Sequence, residues 1–169
     1  MSGSITLISQ TSKSRKPITV STRPAQLDDA EALARLYFAS YNDDRFASQA
    51  DAAAEMERIL KGEHGEFYTE ASPVVVDEHN RIVAASLCLK HRVVTEPKSL
   101  PTIYELFTAA SRRREGLAEQ LIRRSIDQMF EDGYEQVSVR ISENNSAALA
   151  LYLTLDFNRW FPEEDDDIL

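Results

Sequence analysis

Cysteine is almost missing from this chain of 169 residues, with Cys88 the single example. That excludes an internal disulfide framework and a cysteine-built zinc cage. His64, His79 and His91 are scattered without the spacing that sets two ligands on one face, so no metal is expected. No apolar run approaches the roughly 18 residues of a membrane span, and no membrane partner is expected. The opening residues lack the apolar core of a secretory signal, which makes the cytoplasm the expected compartment. Basic residues are outnumbered, 19 Lys and Arg against 28 Asp and Glu, for a net charge of −9. A nucleic-acid binder would carry a basic face, so nucleic acid is not the expected partner. Glycine is rare as well, with five in the chain, and its placement therefore carries information.

What is present is enough apolar matter, 43% of residues, for one domain with a real core. Residues 1–16 are polar, rich in Ser and Thr, and carry three positive charges; they are expected to form a flexible tail. Residues 163–169 open with five consecutive acids and are expected to form a solvated acidic tail. The domain between them, 17–162, is still acidic, with 16 basic and 23 acidic side chains.

Within that domain, strand and helix patterns alternate. Residues 18–22 alternate apolar and polar as a strand does, ending at Arg23-Pro24. Asp28 and Glu31 have the spacing of a capping box, followed by Ala30, Leu33, Ala34, Tyr37 and Tyr41 at helical intervals. A second helix is predicted over 48–60, with Gly62 as its stop. Apolar runs at 73–77 and 81–90 around Glu78-His79-Asn80 predict a hairpin, and 102–109 a further strand. Residues 116–130 place Leu117, Leu121, Ile122, Ile126, Met129 and Phe130 on one helical face, closed by Asp132-Gly133. A short strand at 137–141, a helix at 145–155 and a last strand at 157–161 complete an α/β domain with a mixed sheet.

One segment opposes the acidic background. Arg112-Arg113-Arg114, Gly116 and Ala118 fall between a predicted strand and a predicted helix, where unpaired amides and the positive end of the helix dipole meet. Cations at a helix start cost a few tenths of a kcal/mol each, about 0.3 or more, so three of them call for an external anion. Small residues at 116 and 118 let that anion approach the backbone, and a pyrophosphate is the natural candidate. The alternative is an ordinary basic helix start. Neither GxxxxGK[ST] nor GxGxxG is present, which excludes a P-loop and leaves no dinucleotide fingerprint.

Arg113-x-x-Gly116-x-Ala118 resembles the acyl-CoA motif R/Q-x-x-G-x-G/A of the GNAT superfamily of N-acetyltransferases. Three more segments match in order: Arg23-Pro24-Ala25 with Asp29-Ala30 and Leu33; Asn145-x-x-Ala148-x-x-Leu151-Tyr152; and Phe157 after Tyr152. The resemblance spans about residues 18–161. It implies a mostly antiparallel central sheet flanked by helices, acetyl-CoA as acyl donor, and a small-molecule or peptide amine as acceptor. The family returns through a strand after Phe157, where only twelve residues remain here. A shortened C-terminal hairpin is therefore expected, with a second subunit of a homodimer as one way to complete the acceptor wall. Asp156 stands where the family has glycine, and Asp accepts the left-handed backbone such a turn needs.

By the same resemblance, Arg113, Arg114, Gly116 and Ala118 hold the pyrophosphate, and the backbone at Leu106, Phe107 and Thr108 holds the thioester arm. Asn145 contacts the cofactor or orders its helix. Tyr152 is the general acid for the departing thiolate, or else a core aromatic between Leu151 and Leu155. Glu105, a charge inside an apolar strand, is the candidate base that deprotonates the amine, or else it faces solvent or pairs with an arginine. Cys88 is read as core packing rather than a nucleophile. Asp43 and Asp44 lie toward the acceptor mouth, where they would favour a cationic amine or would simply be solvated. Two other functions stay open: an acyl-CoA sensor or interaction module, and a protein N-terminal or lysine acetyltransferase.

Overall fold

Apolar residues alternating along short strands need a second layer on each face of the sheet, and the chain supplies helices to both. The computed structural model describes residues 3–40, 45–92 and 100–161. In chain order the elements are β1 (Ser4–Gln10), β2 (Arg23–Pro24), α1 (Ala30–Ser40), α2 (Gln49–Leu60), β3 (Pro73–Val76), β4 (Ile82–Leu89), β5 (Thr102–Thr108), α3 (Leu117–Glu131), β6 (Gln136–Ser142), α4 (Ser146–Thr154) and β7 (Asn158–Arg159). They build one seven-stranded sheet in the order β2-β3-β4-β5-β6-β1-β7. All its pairings are antiparallel except β5 with β6.

The two faces have separate cores. On one, Leu33, Tyr37, Met56 and Ile59 from α1 and α2 pack on Val74, Leu87 and Phe107. On the other, Ile122, Met129 and Tyr152 from α3 and α4 pack on Leu7, Cys88, Ile103 and Val139. The helices begin where their caps are. Ser48 accepts a bond from the Asp51 amide at 3.1 Å, and Asn145 Oδ1 one from the Ala148 amide at 3.1 Å. At α1 the expected Asp28–Glu31 box gives way to Asp29. Its carboxylate accepts from the Gln26 amide at 2.8 Å and from both terminal nitrogens of Arg23 at 2.9 Å.

Two expectations at the start of the chain are overturned. Residues 4–10, expected within a flexible tail, form β1, the strand between β6 and β7. Ile5 and Leu7 point into the core opposite Ile141 and Val139, and Leu7 is fully buried. Burying such a side chain contributes about 1.5–3 kcal/mol, which outweighs the polar look of its serine neighbours. Residues 18–22, expected as a strand, run along α3 instead. The amides of Thr19 and Val20 donate to Gln120 Oε1 at 2.8 and 3.0 Å, so the strand is confined to Arg23–Pro24.

Strand β7 holds two residues, Asn158 and Arg159, opposite Ile8 and Leu7 of β1, and no closing hairpin is formed among the described residues. Asp156 turns the chain into β7 with φ 69°, the left-handed backbone foreseen for that position. The strand beside β6 on its other edge is β1.

Candidate functional site

The centre of the sheet opens where its one parallel pair parts. β5 and β6 pair only at Thr102–Ser138 and Ile103–Val139. From Tyr104 to Thr108 the β6-side edge of β5 carries no strand among the described residues, while its other edge follows β4 as far as Ala84. The register slips here too, since Leu87 lies opposite Glu105 and Cys88 opposite Ile103, leaving Tyr104 as an extra residue. A bulge of this kind bends the strand and turns two successive side chains to one face. Tyr104 and Glu105 accordingly both face α1 and α2, whereas Ile103 and Leu106 face α3.

Directly beyond β5 lies the loop expected to hold an anion. A short 3-10 turn over Ala110–Arg112 leads to Arg114 and Gly116, both left-handed at φ 70° and 75°. For arginine that backbone costs roughly 1 kcal/mol or more, strain of the kind kept at functional sites. Gly116 is the N-cap of α3, and no side chain caps it. The amides from Gly116 to Glu119 donate to no other group among the described residues. A Cβ on Gly116 would meet no protein atom, so the space beside these amides stays open. Ala118, in the first turn of α3, adds little bulk.

The three arginines are not equivalent. Arg112 is neutralised by Glu115 at 2.9 Å. Arg113 ties the loop down, reaching the carbonyls of Thr108 and Ser40 at 3.4 Å each. Arg114 is exposed and makes no ion pair with a described residue, so its charge is available to a ligand.

On the α1–α2 face, Glu105 is held in place. Its Oε1 accepts from Tyr37 Oη at 2.9 Å and lies 3.6 Å from Arg45, with only 13% of the side chain exposed. Of the readings open for Glu105, the arginine pair is present, at the rim of the opening. Beside it, His64 stacks on the Tyr104 ring with centroids 5.5 Å apart, and the Arg92 guanidinium lies 5.1 Å from that ring's centroid. His64 also meets Glu55 at 2.5 Å. None of Tyr37, Arg45, His64, Arg92 or Tyr104 was singled out by pattern, because their convergence depends on the bulge.

The remaining expected residues fall as follows. Tyr152 is 3% exposed, on the α3–α4 face, its ring edge-on to Phe157 at 5.1 Å. Leu106 packs against the α3 side, Phe107 is buried against Tyr37, and the Thr108 carbonyl anchors Arg113. Asn145 orders its helix, as its cap. Cys88 is fully buried, and burial pushes its thiol up to about 11, which suits packing and not attack. Asp43 and Asp44 lie outside the described residues. Among the described residues no cluster of His, Cys, Asp and Glu could hold a metal ion, and no helix is long and apolar enough to cross a membrane.

Residues 30–157 match the Acetyltransferase (GNAT) family, and the chain belongs to that family. No curated protein matches it. Among solved structures it is similar to a GCN5-related N-acetyltransferase of Sphaerobacter thermophilus, at 13% identity and a TM-score of 0.66, over 93% of this chain and 48% of that one. The chain thus spans about half the length of that relative. A protein of Pyrococcus horikoshii OT3 matches at 16% identity and a TM-score of 0.66, over 94% and 92% of the two chains. The aminoglycoside N-acetyltransferase AAC(6')-Iy, solved in complex with CoA, matches at 16% identity and a TM-score of 0.62, over 86% and 94%. At these identities the structural likeness establishes the fold alone.

Proposed function

We propose that this family member is an acetyl-CoA-dependent N-acetyltransferase acting on a primary amine in a ternary complex. The observation that carries the reading is the cradle at the start of α3. Its unused amides surround the open space beside Gly116, at the mouth of the opening between β5 and β6. A diphosphate fits that donor set and that space, with Arg114 supplying charge from the rim. The edge of β5 from Leu106 to Thr108, which pairs with no strand on the β6 side among the described residues, supports the reading that it bonds an extended amide-bearing arm.

Acetyl-CoA, when bound, supplies an activated acetyl thioester for transfer to the amine. Glu105, on one face of the opening, takes the proton from the ammonium form of the acceptor, because an alkylammonium has no lone pair to attack with. Tyr152, on the other face, supplies a proton to the departing thiolate. Tyr37 and Arg45 hold Glu105 in position.

Titration calorimetry with CoA and acetyl-CoA tests the reading, followed by a CoA-release screen over a broad panel of amines and peptides. Binding in the micromolar range with release on some amine is expected; absence of acetyl-CoA binding would overturn it.

A further inference from the structure

Around Tyr104 the described residues leave one guanidinium without an ion pair. Arg92 follows the end of β4 and is half-buried, and burial lowers its pKa from the ordinary arginine value. It forms no ion pair with a described residue. The nearest described carboxylates already have partners, Glu105 in Tyr37 and Arg45 and Glu55 in His64 and Arg58, and Glu105 favours the charge on Arg92 only from beyond ion-pair distance. Arg140 lies close enough to make the positive charge on Arg92 less favourable still.

Arg92 is held there by design of the backbone. At Gly65 (φ 144°) a Cβ would stand 1.9 Å from the His91 carbonyl oxygen and 3.3 Å from the Arg92 Cα. The loop carrying His64 is thus pressed onto the end of β4, and both side chains are brought to the Tyr104 ring. A half-buried guanidinium with no ion pair among the described residues is costly, and its planar fork matches a carboxylate.

We propose that the acceptor is a primary amine bearing its own carboxylate, an amino acid or a short peptide, with the carboxylate on Arg92 and the amine at Glu105. The proposal rests on the acetyltransferase reading of this site for the roles of amine and Glu105. Tyr104, which the bulge places beside Glu105, is the floor between the two charged ends.

The test is direct binding to the full chain without acetyl-CoA, using matched pairs: tyrosine with tyramine, phenylalanine with phenethylamine, phosphoethanolamine with ethanolamine. Each carboxylate-bearing member is expected to bind about tenfold or more tighter than its partner, the worth of one charge-assisted pair. Arg92→Gln is expected to bring the pairs to parity, and Arg92→Lys to retain part of the preference, with thermal melting confirming that both variants fold. Equal binding within pairs, no binding of any member, a preference confined to the phosphate pair, or a preference surviving Arg92→Gln would each overturn the proposal. A failure to bind acetyl-CoA would instead sink the transfer reading and leave the amino-acid site standing.

Discussion

Tyr37 on α1 donates its hydroxyl to Glu105 on β5 at 2.9 Å, tying that helix to the strand that borders the opening. If Glu105 takes the amine proton, Glu105→Gln lowers turnover by about a hundredfold or more at neutral pH. Tyr37→Phe lowers it about tenfold through loss of positioning. Calorimetry should find acetyl-CoA affinity unchanged in both. Full turnover in Glu105→Gln would return the residue to a structural ion pair.

The cradle makes a graded prediction. Arg114→Glu should weaken CoA binding in a way that fades as salt rises. Arg112→Gln should change it little, because Glu115 already neutralises that arginine. Gly116→Ala strains a left-handed backbone by about 1 kcal/mol and sets a methyl where the anion would sit. Titrations at two ionic strengths separate these cases, and equal losses for Arg112 and Arg114 would contradict the assignment.

Tyr152→Phe keeps the ring against Phe157 and removes only the hydroxyl. Turnover is expected to fall about a hundredfold with acetyl-CoA affinity intact. An unaltered rate would make Tyr152 a core aromatic alone.

The loop from β5 to α3 was legible because its signals are local: three arginines, a glycine and a small residue stand together in the sequence, and Gly116 takes the left-handed backbone that starts the helix. The left-handed turn at Asp156 was legible for the same reason. The bulge at Tyr104 was not, since it exists only in the register between β5 and β4. Without it, alternation would put Tyr104 and Glu105 on opposite faces, and the residues gathered around them look unrelated. Strand β1 was written faintly, as Ile5-Thr6-Leu7 among serines, and its partner lies at the far end of the domain.

That strand is testable. Leu7→Ala removes a fully buried side chain and should cost about 2–5 kcal/mol in urea unfolding. Deleting residues 1–10 should leave no cooperative transition. A truncated chain that unfolds like the full one would show the strand to be dispensable.

Acid stability follows from Asp29, whose carboxyl is held below its ordinary value chiefly by Arg23. A depressed carboxyl stabilises the fold above its unfolded pKa, near 3.9, and loses that contribution as the pH falls through the folded value. Asp29→Asn should therefore be destabilised by about 1 kcal/mol at pH 7, and the gap should close below about pH 4. A gap that held constant across that range would remove the pair from the account.

The pairing of β1 with β6 also sets an order of assembly. Arg140 Nε bonds Ser4 Oγ across 136 residues, at 2.7 Å. Within this domain β1 is therefore synthesised before every other element and its partner only after β5 and α3, so the strand waits through most of the domain for its pairing. Contacts this distant in sequence close slowly. The β4–β5 half and the α1–α2 face have all their parts well before the α4 side, which leaves the apolar segment Ile5 to Ile8 exposed in the nascent domain until β6 is made.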